Sequence, residues 1–142
     1  MEALPPARSV TKTVTIDRPA TEVHAFLADA RNWPRWAVVN ILAVEPGDDP
    51  PWWRITTPDG FADFRLRADA ATGVVDHDFR DDTGDIGTVP ARVVANGRGA
   101  DFLMTVTQPA EVGDAFFDEL MGAVDTELAT LKAVLERGES PA

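Results

Sequence analysis

Between Val10 and Asp17 the chain alternates: Val10, Lys12, Val14 and Ile16 fall on one side, Thr11, Thr13 and Thr15 on the other. A period of two in a run rich in β-branched residues predicts a half-buried strand. Arg18-Pro19 stops it, and Thr21 or Asp17 can cap the helix that follows. Val23, Phe26 and Leu27 give that helix an apolar stripe at spacings of three and four. Asn32-Trp33-Pro34 breaks the pattern, because a residue before proline avoids helical angles. A second short helix or turn is predicted around Pro34 to Val38.

Strand-like runs follow at Ile41 to Glu45, Trp52 to Thr57, Ala62 to Asp69, Gly73 to Arg80, Thr88 to Ala95 and Ala100 to Thr107. Pro46-Gly47-Asp48, Pro58-Asp59-Gly60, Asp82-Thr83-Gly84 and Asn96-Gly97 supply turn chemistry between them, which predicts an antiparallel meander. The last element carries the clearest pattern. Phe117, Leu120, Val124, Leu128, Leu131 and Leu135 recur at helical spacing, widened by Phe116 and Met121. Gly113 or Asp114 starts this helix and Arg137-Gly138 ends it. So long a stripe needs a broad partner, and a curved sheet is the one large partner on offer. The predicted fold is α+β: an antiparallel sheet of six to seven strands wrapped around a long C-terminal helix, with two short helices closing one end. It forms one domain over 9–137, with loose tails at 1–8, where Pro5-Pro6 lies, and at 138–142.

Composition narrows the chemistry. At 142 residues, 44% hydrophobic and 26% charged, the chain has the size and make-up of one globular domain. It has no cysteine, which excludes disulfides, thiolate catalysis and cysteine zinc sites. The formal net charge of -11 disfavours nucleic acid and anionic membrane surfaces as partners. Arg31 and Arg35 make one local basic pair; Arg65 and Arg67 make another, flanked by Asp63 and Asp69. Met1 to Ser9 lacks the apolar core of a signal peptide and no run is long enough to span a bilayer, so a cytoplasmic location without membrane insertion is expected.

The stretch from Thr13 to Leu27, ending in Trp33-Pro34-Arg35-Trp36, together with the long amphipathic helix, resembles the START-like, helix-grip superfamily (SRPBCC) over roughly Val10 to Glu136. That group includes polyketide cyclases, the birch-pollen-allergen type and lipid-transfer domains. The resemblance implies a cavity for a hydrophobic small molecule, of lipid, polyketide or isoprenoid type, between sheet and helix. The expected lining is Trp53, Phe64, Leu66, Phe79, Phe102, Met104, Phe117, Leu120, Met121 and Val124, with Trp33 and Trp36 near the mouth. Adjacent Trp52 and Trp53 must point to opposite faces, so one of them is inside. The plainer alternative is that these rings plug the core.

His24 sits on the first helix and is expected at the surface or rim. His77 shares a face with Val75 and Phe79, where an imidazole could orient a ligand or act as a base, or could simply be a hydrogen-bonded core residue. Asp76 and Asp78 take the opposite face and are expected to be solvated. Arg92 is undecided. Pairing across the Asn96 to Gly99 turn puts Ala91 and Val93 with Phe102 and Met104 and turns Arg92 outward. Pairing through the Asp82-Thr83-Gly84 turn puts it with His77, and a bulge at Gly87 or Pro90 would be needed to reconcile the two.

Asp82-Thr83-Gly84 occurs once, among turn residues, and lacks the second loop that aspartic-protease chemistry requires. The acids from Asp76 to Asp85 place Arg80 and Asp81 where a calcium loop needs an oxygen ligand and a glycine. No phosphate loop, GxSxG or HExxH is present, and no metal or cofactor is called for. Three functions follow. The first is binding of a hydrophobic small molecule. The second is an enzyme of the polyketide cyclase/dehydratase type, with His77 as base and Arg92 as enolate stabiliser. The third, implied by relatives of the heat-shock ATPase-activator type, is a protein-interaction module with a filled core. A homodimer is open, since apolar positions of the last helix can serve a cavity or a second copy.

Overall fold

The computed structural model describes residues 4–137. Its strands are β1 (Ser9–Ile16), β2 (Ala43–Pro46), β3 (Trp53–Thr57), β4 (Gly60–Asp69), β5 (Val74–Arg80), β6 (Ile86–Val89), β7 (Ala91–Asn96) and β8 (Gly99–Thr107). They form one antiparallel sheet in the order β1-β8-β7-β5-β4-β3-β2, with β6 alongside β5. The α+β expectation holds, with one strand more than the pattern suggested.

The extra strand comes from Pro90, which divides the run from Thr88 to Ala95. Proline has no N–H for a ladder, so the strand changes neighbours there. β6 pairs with β5 from Arg80↔Ile86 to His77↔Val89. β7 pairs with β8 from Ala91↔Met104 to Asn96↔Gly99 and meets β5 only at Val74↔Arg92. The seam is stitched in other ways. Pro90 O accepts from Thr105 N at 3.0 Å and Gly73 O accepts from Val93 N at 2.8 Å. The Asp76 carboxylate, expected in solvent, accepts from Ala91 N at 2.9 Å. Gly73 suits the close approach: its φ is +81°, and a Cβ there would lie 2.2 Å from Val93 O.

Helix α1 (Ala20–Leu27) follows Pro19, which takes the N-cap position; neither Thr21 nor Asp17 caps it. Asp17 instead pairs with Arg98 at 2.8 Å. Next comes a 3-10 turn (Ala30–Arg35), four residues earlier than expected, because the Asp29 carboxylate accepts from Arg31 N at 3.0 Å and Pro34 is accommodated within the turn. Helix α2 (Asp114–Glu136) starts at the predicted place, with Gly113 as N-cap; Gly138, its predicted stop, lies outside the described residues. α2 buries Phe117, Met121, Val124, Leu128, Leu131 and Leu135. It is tied to β1 by Lys12 with Asp125 at 3.0 Å and by Lys132 Nζ donating to Thr15 O at 2.9 Å. Arg8, in the expected tail, is held too: it pairs with Asp118, its Cζ lies 4.8 Å from the Phe117 ring, and its carbonyl accepts from Gln108 N at 2.8 Å.

Asp78 departs most from expectation. It lies on the outer face, as alternation required, yet it is fully buried. Arg65 at 2.7 Å and Arg67 at 2.9 Å reach across from β4, and Thr88 Oγ1 donates from β6 at 2.7 Å. Trp52 packs on Arg65 and on the neighbouring Arg80, with their guanidinium carbons each 4.2 Å from its ring centroid. Burial alone would push the Asp78 carboxyl up, but the bonds from Arg67, Thr88 and Arg65 outweigh it and hold it well below the usual carboxylate range. A depressed folded pKa means stabilisation that is present above the unfolded value, 3.8, and lost as pH falls below it. Asp78→Asn is expected to cost about 2 kcal/mol at pH 7, discounted from a fully buried pair because the arginines are partly solvated. Urea unfolding should show that gap closing as the pH is taken below 3.8.

Candidate ligand-binding site

Strand register assembles the inner face. Trp53 stands opposite Phe64, Phe64 opposite Phe79, Leu66 opposite His77, and His77 opposite Val89. Farther along the sheet, Ala91 faces Met104, and Phe102 stands between Val93 and Val14. All the strand residues expected as lining therefore share the inner face. The α2 set is Phe117, Leu120, Met121 and Val124, of which all but Leu120 are buried.

Burial separates this surface into two zones. Phe64, Phe102 and Phe117 have no exposed surface, and Met104, Met121 and Val124 are buried beside them. Trp53, Leu66, Phe79, Val89 and Leu120 are only half-buried. Trp33 and Trp36, expected near the mouth, belong to the closed zone at 2% exposure each. The early start of the 3-10 turn drives them inward. Trp33 Nε1 donates to Leu27 O at 2.8 Å and Asn32 Nδ2 to Phe26 O at 3.0 Å, which hangs the turn from the end of α1. The Trp33 ring then lies 4.7 Å from Trp36, 4.9 Å from Phe64 and 4.8 Å from His77, with Trp36 6.1 Å from Phe102. Of the adjacent tryptophans, Trp53 faces in and Trp52 out.

His77 is enclosed by Trp33, Phe64 and Phe79, the last two at 6.2 and 5.8 Å between centroids. Its Nδ1 lies 3.4 Å from Val75 O. Burial lowers its pKa from 6.5 to about 4, so the ring is neutral at pH 7 and a weak base. Arg92 is exposed on the outer face and donates from Nε to Thr72 O at 2.9 Å. Of the two registers weighed for Arg92, the one across the Asn96 to Gly99 turn holds and the other does not, because the loop over Asp81–Asp85 sets His77 opposite Val89 and Asp78 opposite Thr88. Arg92 is therefore not brought to His77. His24, expected at the surface or rim, is buried with Nε2 2.9 Å from Val74 O. It lines a groove of about 580 Å³ between α1 and the Ala68 to Gly73 turn, and a second recess of about 580 Å³ lies over Trp52 among Asp48, Asp49 and Asp81. Both are outside the sheet–helix interior.

Glu127 was missed. It is buried on α2 and accepts from Val39 N at 3.1 Å, Asn40 N at 2.9 Å and Asn40 Nδ2 at 3.2 Å. Burial outweighs those bonds and pushes its carboxyl up. The signal was its position, three residues after Val124 and four before Leu131, inside the apolar stripe. Among the described residues no group of three or more histidines and carboxylates gathers to hold a metal, and no helix is long and apolar enough to cross a membrane.

The depressed pKa of His77 has a thermodynamic sign. The unfolded chain takes up a proton near 6.5 and the folded chain only near 4, so stability is full above 6.5 and falls as pH drops through that window. The whole effect amounts to about 3 kcal/mol. Replacing His77 by Leu should remove it, so that the variant loses less stability than the parent between pH 7 and 4. Chemical denaturation at several pH values checks this, and parallel slopes would count against it.

No family model matches the chain, and no curated protein matches it by sequence. Solved structures do. A START superfamily protein from Mycobacterium smegmatis aligns at a TM-score of 0.68 and 15% identity, covering 92% of this chain and 99% of that one. The Aha1 dimer protein from Colwellia psychrerythraea gives 0.73 and 13%, over 94% and 99%. The di-domain ARO/CYC protein BexL of the BE-7585A biosynthetic pathway gives 0.68 and 21%, over 91% of this chain and 46% of BexL. At such identities the likeness shows the fold alone: the chain's antiparallel sheet, long C-terminal helix and short helical segments after the first strand make a START-like, helix-grip fold.

Proposed function

We propose that the protein binds a hydrophobic small molecule, of lipid, polyketide or isoprenoid type, on the inner face of its sheet. The observation that carries this is the half-buried apolar set Trp53, Leu66, Phe79 and Val89, contiguous by register beside the closed ring cluster, together with Leu120 of α2. Covering such surface gains roughly 25 cal/mol per Å² removed from water, less the cost of association. The neutral His77 next to Leu66 offers orientation. The likeness to structures described as a START superfamily protein and an ARO/CYC protein supports the same reading. A formal net charge of -11 suits a small apolar partner in the cytoplasm better than nucleic acid or an anionic membrane.

A cyclase/dehydratase-type reaction would have to rely on His77 without Arg92, since Arg92 lies on the opposite face. The closed cluster of Trp33, Trp36, Phe64 and Phe102 favours a second reading, a domain that acts through protein contacts, and the likeness to the Aha1 dimer protein is in line with it. Among the helical positions open to a second copy, Phe116 is exposed.

Native mass spectrometry of the purified protein, followed by extraction, separates the two readings. An apolar molecule at about one per chain supports binding. A clean apo mass with no thermal shift from a panel of apolar compounds supports the contact-acting domain. Displacement of N-phenyl-1-naphthylamine should weaken at least about tenfold in Leu66→Arg and in Leu120→Arg, because each places a charge in the apolar surface, while His77→Ala should keep probe binding.

A further inference from the structure

Acids outnumber bases in this chain, with 24 Asp and Glu against 13 Lys and Arg. Most arginines accordingly find a carboxylate: Arg8, Arg18, Arg54, Arg65, Arg67, Arg80 and Arg98 each reach one within 4 Å. The two arginines of the 3-10 turn reach none among the described residues. They lie over rings instead. Arg31 Cζ is 4.9 Å from the Trp53 centroid, at the half-buried zone, and Arg35 Cζ is 5.4 Å from that of Phe26.

The same turn holds two unmet donors. Arg35 Nη1 and Trp36 Nε1 are buried and have no hydrogen-bond partner. Trp36 is 2% exposed, so water does not reach its indole N–H in this conformation. Trp33, one turn earlier, shows the ordinary solution with its bond to Leu27 O. A buried donor left without an acceptor costs about 1–3 kcal/mol, and folded proteins satisfy nearly all of them. Two on adjacent residues, with the Arg31 guanidinium of the same turn also lacking a carboxylate, leave the end of the turn short of an acceptor.

We propose that Arg35 Nη1 and Trp36 Nε1, with Arg31 at the rim over Trp53, anchor an oxygen anion carried at the head of an otherwise apolar ligand. This rests on the binding function proposed above and names the ligand's polar end. Guanidinium and indole N–H groups donate and cannot accept, so an amine or quaternary ammonium head is refused. A carboxylate or the enolate of a β-dicarbonyl fits, because a charge-assisted bond in a water-poor site is the strong kind. The aromatic rings around Trp36 would meet the apolar body. Both donors are covered, so binding moves the end of the turn away from the ring cluster, and Trp36 changes its surroundings as it does.

Displacement of the uncharged probe N-phenyl-1-naphthylamine by three compounds of equal chain length provides the test: decanoate, methyl decanoate and 2-decanoyl-cyclohexane-1,3-dione, an ionised enol at neutral pH. At least one anion should bind about tenfold or more tighter than the ester, as expected for a charge-assisted contact. Preference for the carboxylate or for the enol tells which anion the site takes. Arg35→Met and Trp36→Phe should each lower the anion-to-ester ratio toward one. Arg31→Gln, at an exposed position, should lower it about two- to threefold by removing a rim charge, which keeps the test open should an interior variant misfold. Equal binding of anions and ester by the parent protein, or an undiminished ratio in Arg35→Met, overturns the anchor and leaves apolar binding standing. Failure of all three compounds and of the probe overturns the binding function itself.

Discussion

The indole of Trp33 is the joint on which the interior depends. Its N–H is fastened to the last carbonyl of α1, while its ring packs on Trp36, Phe64 and His77. One side chain thus connects the first helix, the turn and the middle of the sheet. A tryptophan suits this because it combines a large apolar face with one polar edge that has to be satisfied. With that edge secured, the rest of the ring is committed inward, and the centre of the sheet closes where a mouth was expected. Beside it, the margin around Trp53 and Phe79 stays only half-buried.

The elements with a regular period were legible from the residues alone. The alternation in β1, the stripe of α2 and the turn residues that separate most strands from β2 to β8 each follow from local geometry, and the apolar inner face follows from alternation once the strands are placed. What escaped depended on partners far away in sequence. Asp78 belongs to an outward-facing, acidic stretch, and nothing local says that two arginines and a threonine will close over it. His24 carries no local mark of the Val74 carbonyl that holds it. Thr21 and Asp17 are good caps in the abstract, but Pro19 already provides the extended geometry before α1 and Asp17 is taken by Arg98. Arg92 was undecidable because the length of a loop, and not any residue type, determines its face.

Two buried carboxylates show how neighbours decide the fate of a charge. Asp78 is surrounded by charged donors and stays strongly acidic. Glu127 has only neutral N–H groups, so desolvation wins and its proton is held more firmly. The first fastens three strands on the outer face. The second fastens the stretch after the 3-10 turn to α2, directly downstream of the unmet donors of Arg35 and Trp36.

Pro90 leaves the sheet mechanically divided. On one side, β2 to β6 carry the half-buried apolar margin; on the other, β7, β8 and β1 carry α2. Across the seam the ladder shrinks to one residue pair, and the remaining connections are individual bonds at Gly73, Asp76 and Pro90. A continuous ladder would transmit shear from strand to strand along its whole length. Here a load applied at β6 has few bonds through which to reach β8, so the margin can spread or flatten while the helix-bearing half keeps its shape. The proline that interrupts a strand also gives the grip a compliant jaw and a rigid one.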